Sequence, residues 1–65
     1  MIAHKYLFNE YNVPRANKAK INMMNRELIE CLTVAANNMY SQGADIKMFE
    51  DVSQMIVEEI FVKYN

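Results

Sequence analysis

Side chains that commonly perform catalysis are few in this chain and stand far apart. The chain contains one histidine, His4, and one cysteine, Cys31. A catalytic thiol or hydroxyl needs a base within hydrogen-bond reach, but His4 lies near the start of the chain and Cys31 borders the apolar stripe of a predicted helix. We therefore expect Cys31 to be a buried structural thiol and His4 to be a solvent-exposed side chain.

Acidic side chains occur at helical spacing, in the pairs Glu27 with Glu30 and Asp51 with Glu58. An inward-facing metal site in a helical bundle typically has a histidine three residues after a glutamate. Neither pair has a histidine at that spacing. The single glycine, Gly43, excludes a glycine-rich phosphate loop and a dinucleotide fingerprint. The sequence thus predicts no enzyme activity, no cofactor and no metal site.

Basic side chains are concentrated in the first part of the chain. Residues 1–26 carry five Lys and Arg against one acidic residue, and residues 27–65 carry two against seven, although the net charge is only −1. The candidates for contact with an anion or a nucleic acid are Arg15, Lys18, Lys20 and Arg26. If the first helix begins close to Pro14, the first three of these crowd the positive end of the helix dipole. This concentration of positive charge would be offset by a nucleic-acid phosphate, by the acidic half of a second copy or by an acidic patch on another protein. The alternative is a solvated, partly frayed helix end.

Pro14 and Gly43 divide the chain into three predicted segments within a single helical domain, 1–65. These segments are an arm over 1–13, a first helix over 15–42 and a second helix over 45–64. Gly43 is expected to adopt the left-handed conformation that often closes a helix, and Asp45 is expected to cap the next one. A connection this short favours an antiparallel helical hairpin. The arm is expected to be a short helix or an extended segment that docks through its aromatic side chains.

The second predicted helix carries more apolar surface than one neighbouring helix can cover. One face, formed by Phe49, Val52, Ile56 and Ile60, is expected to meet the first helix at Met24, Leu28, Leu32, Ala35 and Met39, which recur every three or four residues. The remaining apolar residues are predicted to form a partner or oligomer interface: Met48, Met55, Phe61, Val62 and Tyr64. A chain of this length buries only about 60 % of its unfolded surface, and a lone cysteine cannot form an internal disulfide. Oligomerisation or a partner is the remaining way to stabilise it.

These patterns predict an all-α protein, in which an antiparallel hairpin with a short N-terminal arm is completed as a four-helix assembly by dimerisation. The expected function is that of a small protein-binding module, of the inhibitor, adaptor or co-chaperone type, that modulates another macromolecule through an apolar helical surface. The alternative is a small dimeric DNA-binding regulator that uses the basic N-terminal segment. No run of residues is apolar enough for a membrane span, and we expect a cytoplasmic location.

Overall fold

Two antiparallel helices form the fold in a computed structural model that describes residues 5–64. Helix α1 covers Lys18–Ser41 and helix α2 covers Ile46–Tyr64, and these described residues contain no β-strand. The start of α1 lies beside the end of α2, where Glu27 contacts Lys63, and the tilted rings of Tyr40 and Phe49 meet at the other end. The predicted all-α helical hairpin is confirmed. His4 lies outside the described residues.

The connection between the helices has the chemistry expected from its sequence. Gly43 has a φ of 83°, in the left-handed region that glycine adopts at little cost. Its amide donates to the carbonyl of Tyr40 at 3.1 Å, which satisfies one of the last free acceptors of α1. The Asp45 carboxylate accepts from the Met48 amide at 3.0 Å at the start of α2. Both predictions for this turn, the left-handed glycine and the aspartate cap, are confirmed.

Helix α1 begins three residues later than the start we expected at residue 15. Asn17 has extended backbone angles, and its side-chain oxygen accepts from the Lys20 amide at 2.8 Å, so Asn17 is the N-cap. The residues before it form turns, in which the Ala16 amide donates to the carbonyl of Val13 at 3.1 Å. Arg15 therefore lies outside the helix, in the turn that precedes it.

The arm forms a third layer on the hairpin. Tyr6, Phe8 and Val13 are all buried, which agrees with the expectation of docking through aromatic side chains, although Tyr11 remains 87 % exposed. The backbone of Phe8 is held by the side chain of Asn25 in α1. The Phe8 amide donates to Asn25 Oδ1 at 2.7 Å, and Asn25 Nδ2 donates to the Phe8 carbonyl at 2.9 Å.

The hydrophobic core joins all three layers. Its fully packed members are Met24, Leu28 and Leu32 of α1, Phe49 and Ile60 of α2, and the three buried residues of the arm. Ser53 is also fully buried, and its hydroxyl donates to the Phe49 carbonyl at 2.7 Å, so this polar atom is satisfied. The other predicted core residues, Ala35, Met39, Val52 and Ile56, are half-buried.

Candidate functional site

The described part of the arm, residues 5–17, covers one face of the hairpin and leaves the opposite face uncovered. On the covered side, Asn25 holds Phe8, and Lys5 Nζ lies 3.5 Å from a Glu50 carboxylate oxygen. Glu27, two residues after Asn25, projects from the other side of α1, because two residues differ by about 200° around a helix. Its carboxylate accepts from Lys63 Nζ at 2.9 Å. The Glu27–Lys63 ion pair therefore marks the uncovered face.

Apolar side chains continue from this ion pair toward the Gly43 turn. On α1, Cys31 and Val34 follow Glu27 at helical spacing, and on α2 the residues preceding Lys63 at that spacing include Ile56 and Val52. We call the following set the open face: Cys31, Val34, Met48, Val52, Met55 and Ile56. Val34, Met48 and Met55 are 60 %, 53 % and 60 % exposed, while Val52 and Ile56 are half-buried. The open face is thus an apolar surface left in water.

Cys31 is exposed, and the expectation that its thiol is buried was wrong. The stripe of α1 that packs on α2 is centred on Leu28 and Leu32, and Cys31 lies just beyond its edge. Sequence reasoning also missed Val34 as a surface residue of interest. The signal that would have found both is the spacing of residues 27, 31 and 34, which places them on one line along α1.

The structure separates the five residues predicted to form a partner interface into two groups. Met48, Met55 and Val62 stand seven residues apart on one line along α2, and each is more than half exposed. Phe61 lies about 100° round the helix from Val62 and is 39 % exposed. Tyr64 is half-buried, and its hydroxyl donates to Glu27 at 3.0 Å. Phe61 and Tyr64 thus lie off the line of the other three, although Phe61 shares a groove with Val62.

A cleft of about 280 Å³ lies at this end of the hairpin, where the arm, the start of α1 and the end of α2 meet. We call it the end cleft; the residues lining it include Val13, Arg15, Lys20, Met24, Phe61 and Tyr64. Among the residues that the structure describes, no carboxylate side chain lines it. The end cleft therefore joins two of the predicted basic residues to two of the predicted interface residues.

The four predicted basic residues do not share one surface. Arg15 and Lys20 line the end cleft, whereas Lys18 lines a separate groove that also contains Glu10 of the arm. Arg26 is exposed on α1, about 120° round the helix from Lys20. A helix that follows a nucleic-acid backbone presents its cations along one side, and α1 does not show that arrangement.

Glu27 is the centre of a small polar network at the edge of the open face. Hydrogen bonds from Lys63 and then from Tyr64 lower the pKa of the Glu27 carboxyl. The same carboxylate raises the pKa of Lys63 and that of the Tyr64 hydroxyl. The network ties the end of α2 to α1 and fixes the position of the Tyr64 ring beside the end cleft.

The Glu27 pKa predicts a stability difference between neutral and acidic pH. A carboxyl whose pKa is lower in the folded chain contributes stability above its unfolded value of about 4.3, and this contribution disappears as pH falls through the folded value. Glu27→Gln should therefore flatten the acid limb of a plot of unfolding free energy against pH. Urea unfolding between neutral and acidic pH measures this effect. Glu30→Gln, the same charge change at an exposed site one turn away, should keep the wild-type slope; equal slopes for both variants would contradict the prediction.

Residues 5–64 contain neither a metal cluster nor a membrane-spanning helix. Within residues 5–64, no three side chains of His, Cys, Asp and Glu lie close enough together to hold a metal ion. Neither α1 nor α2, the helices of that range, has the length and hydrophobicity to cross a bilayer. Comparisons with protein-family models, with curated proteins and with solved structures found no significant match to this chain.

Proposed function

We propose that this protein is a small helical protein-binding module, and that the open face is its binding surface. The observation that carries the proposal is the exposure of Val34, Met48 and Met55 beside the half-buried Val52 and Ile56. Contiguous apolar surface of this kind marks interaction sites on small proteins. Methionine side chains suit such a surface because they adapt to different partner shapes.

A second copy of the chain is the occupant that best fits the open face. In a two-fold contact the patch of one copy meets the same patch of the other, so an apolar patch is covered by a second apolar patch. The apolar part of the open face has no charged member, and at its edge Glu27 is neutralised by Lys63. Glu59 also lies at this edge, where it shares a groove with Met55 and Lys63. Two hairpins stacked on this face form a four-helix assembly, the arrangement in which helical hairpins commonly bury their remaining apolar side.

The module acts by binding rather than by chemistry. A dimer stabilised through the open face keeps the arm side and the Val62 end of α2 available for another macromolecule. This arrangement fits an inhibitor, an adaptor or a co-chaperone, each of which works by covering or presenting a surface.

Charge introduced into the open face should prevent dimerisation. We expect Val34→Asp and Met55→Asp each to raise the dimer dissociation constant by about 100-fold or more, because burying an unpaired carboxylate costs several kcal/mol. Sedimentation velocity over a wide range of protein concentration measures the constant. Circular dichroism at low concentration checks that the helices are retained.

Ile29→Asp is the matched control for this experiment. Ile29 is also an exposed apolar residue of α1, at 44 % exposure, but it lies about 140° round the helix from Val34. This variant should dimerise like the wild type. A wild-type chain that stays monomeric at every concentration would exclude a second copy as the occupant, and equal weakening by all three substitutions would exclude the open face as the interface.

A further inference from the structure

The end cleft has the shape of a small binding site whose walls are held in place by the fold. Met24 forms part of its apolar wall and is 1 % exposed, so that wall belongs to the core. The Tyr64 ring is fixed by its hydrogen bond to Glu27, and the Phe61 ring stays partly open to solvent. An apolar group entering the cleft would therefore meet side chains that are already ordered.

Within residues 5–64, the positive charge of the same cleft has no acidic partner. Arg15 and Lys20 line it, and within residues 5–64 the ion pairs are Lys5–Glu50 and Lys63–Glu27, so neither cation has a carboxylate partner in that range. Glu27, which lies behind Tyr64, is already neutralised by Lys63. The first turn of α1 has no acidic residue, so nothing in it offsets the positive end of the helix dipole.

We propose that the end cleft binds an apolar carboxylate. The apolar body of the ligand packs against Phe61 and Met24, and its carboxylate accepts hydrogen bonds from Arg15 and Lys20. A guanidinium can hold a carboxylate through two parallel hydrogen bonds. The volume lies near the lower end of ligand sites, which start at about 300 Å³, and therefore fits a group the size of one apolar side chain with its carboxylate.

Two sources supply this chemistry: a small carboxylic acid, and the C-terminal residue of a peptide. Both present an apolar group next to a carboxylate, so the cleft residues would hold either in the same way. The site uses no member of the open face, and binding there does not require the dimer.

Phenylacetate is a suitable probe, with phenylacetamide as its neutral counterpart. Titration of the isotope-labelled full chain, followed by amide NMR shifts, should show saturable changes at Lys20, Met24 and Phe61. Hydrogen bonds to charged groups contribute about 1.5–3 kcal/mol, so phenylacetamide should bind at least about tenfold more weakly. The double variant Arg15→Gln with Lys20→Gln should lose affinity for phenylacetate by a similar factor.

Lys18→Gln is the control, because Lys18 carries the same charge in the same region but lines the other groove. It should leave phenylacetate binding unchanged. Equal binding of the acid and the amide, equal losses in the Lys18 and the double variant, or no shift at millimolar probe would each overturn the proposal. An N-acetylated tripeptide ending in phenylalanine then separates the sources. If the tripeptide binds more tightly than phenylacetate and amidation of its C terminus abolishes that binding, the cleft is a site for a chain terminus. If the tripeptide binds more weakly, the cleft is a site for a small acid.

Discussion

Replacing Leu28 with alanine is expected to remove about 2–5 kcal/mol of stability. Leu28 is fully buried at the centre of α1, where residues of all three layers meet. The substitution removes most of an apolar side chain and leaves a cavity whose walls cannot close completely. A folded domain of 65 residues has a total stability of about 3–10 kcal/mol, so the variant should lose a large fraction of its stability and unfold at a much lower urea concentration.

Urea unfolding followed by helical circular dichroism measures this loss. The protein concentration must be held constant, because a dimer is stabilised by mass action. Ile29→Ala is the matched control: Ile29 is the next residue of the same helix, is 44 % exposed and should change stability by less than about 0.5 kcal/mol. A Leu28→Ala variant no less stable than Ile29→Ala would show that the core is not organised around Leu28.

The period of the apolar residues is what made the hairpin predictable. Met24, Leu28 and Leu32 recur every four residues, and Ala35 and Met39 follow at spacings of three and four; only a helix brings both spacings onto one face. The Gly43 turn was predictable for a different reason, since a lone glycine followed by an aspartate combines a helix stop with a helix cap. A turn of this kind depends only on neighbouring residues, so it can be predicted without knowledge of the tertiary structure.

The start of α1 and the exposure of Cys31 were harder to predict. Pro14 and Asn17 are both good markers of a helix start, and only the turn that follows Val13 decides between them. Cys31 lies at the edge of an apolar stripe, where exposure depends on whether another layer covers that side. The arm covers the other side instead, and no periodic pattern in the sequence indicates which face a non-helical segment will choose.

The end cleft could not be predicted because it joins residues that are far apart in the chain. In the sequence, Arg15 belongs to the basic cluster and Phe61 to the predicted partner interface. Two features of the fold bring them to the same cleft. Helix α1 begins at Lys18, which leaves Arg15 in a turn, and α2 runs antiparallel to α1. The sequence therefore supplied the chemical components of the candidate site, and the tertiary structure brought them together.

We expect the pair of hydrogen bonds between Asn25 and the Phe8 backbone to hold the arm on the face that it covers. Asn25→Leu is expected to cost about 2–3 kcal/mol, since it removes two hydrogen bonds and leaves a partly buried amide and carbonyl without partners. The arm can satisfy these groups with water only by leaving the hairpin. That movement would expose Tyr6 and Phe8, so the local loss of hydrogen bonds becomes a loss of apolar burial.

Limited proteolysis with chymotrypsin separates undocking of the arm from global unfolding. Cleavage after Leu7 or Phe8 should become much faster in Asn25→Leu, while the helical circular dichroism at low urea stays close to that of the wild type. Asn37→Leu is the matched control, because Asn37 is an exposed asparagine of the same helix that does not line the groove containing Phe8. If both variants are cleaved at the same rate, the aromatic side chains alone hold the arm. If Asn25→Leu alone is cleaved faster, the polar contact is required to hold the arm on the face that it covers.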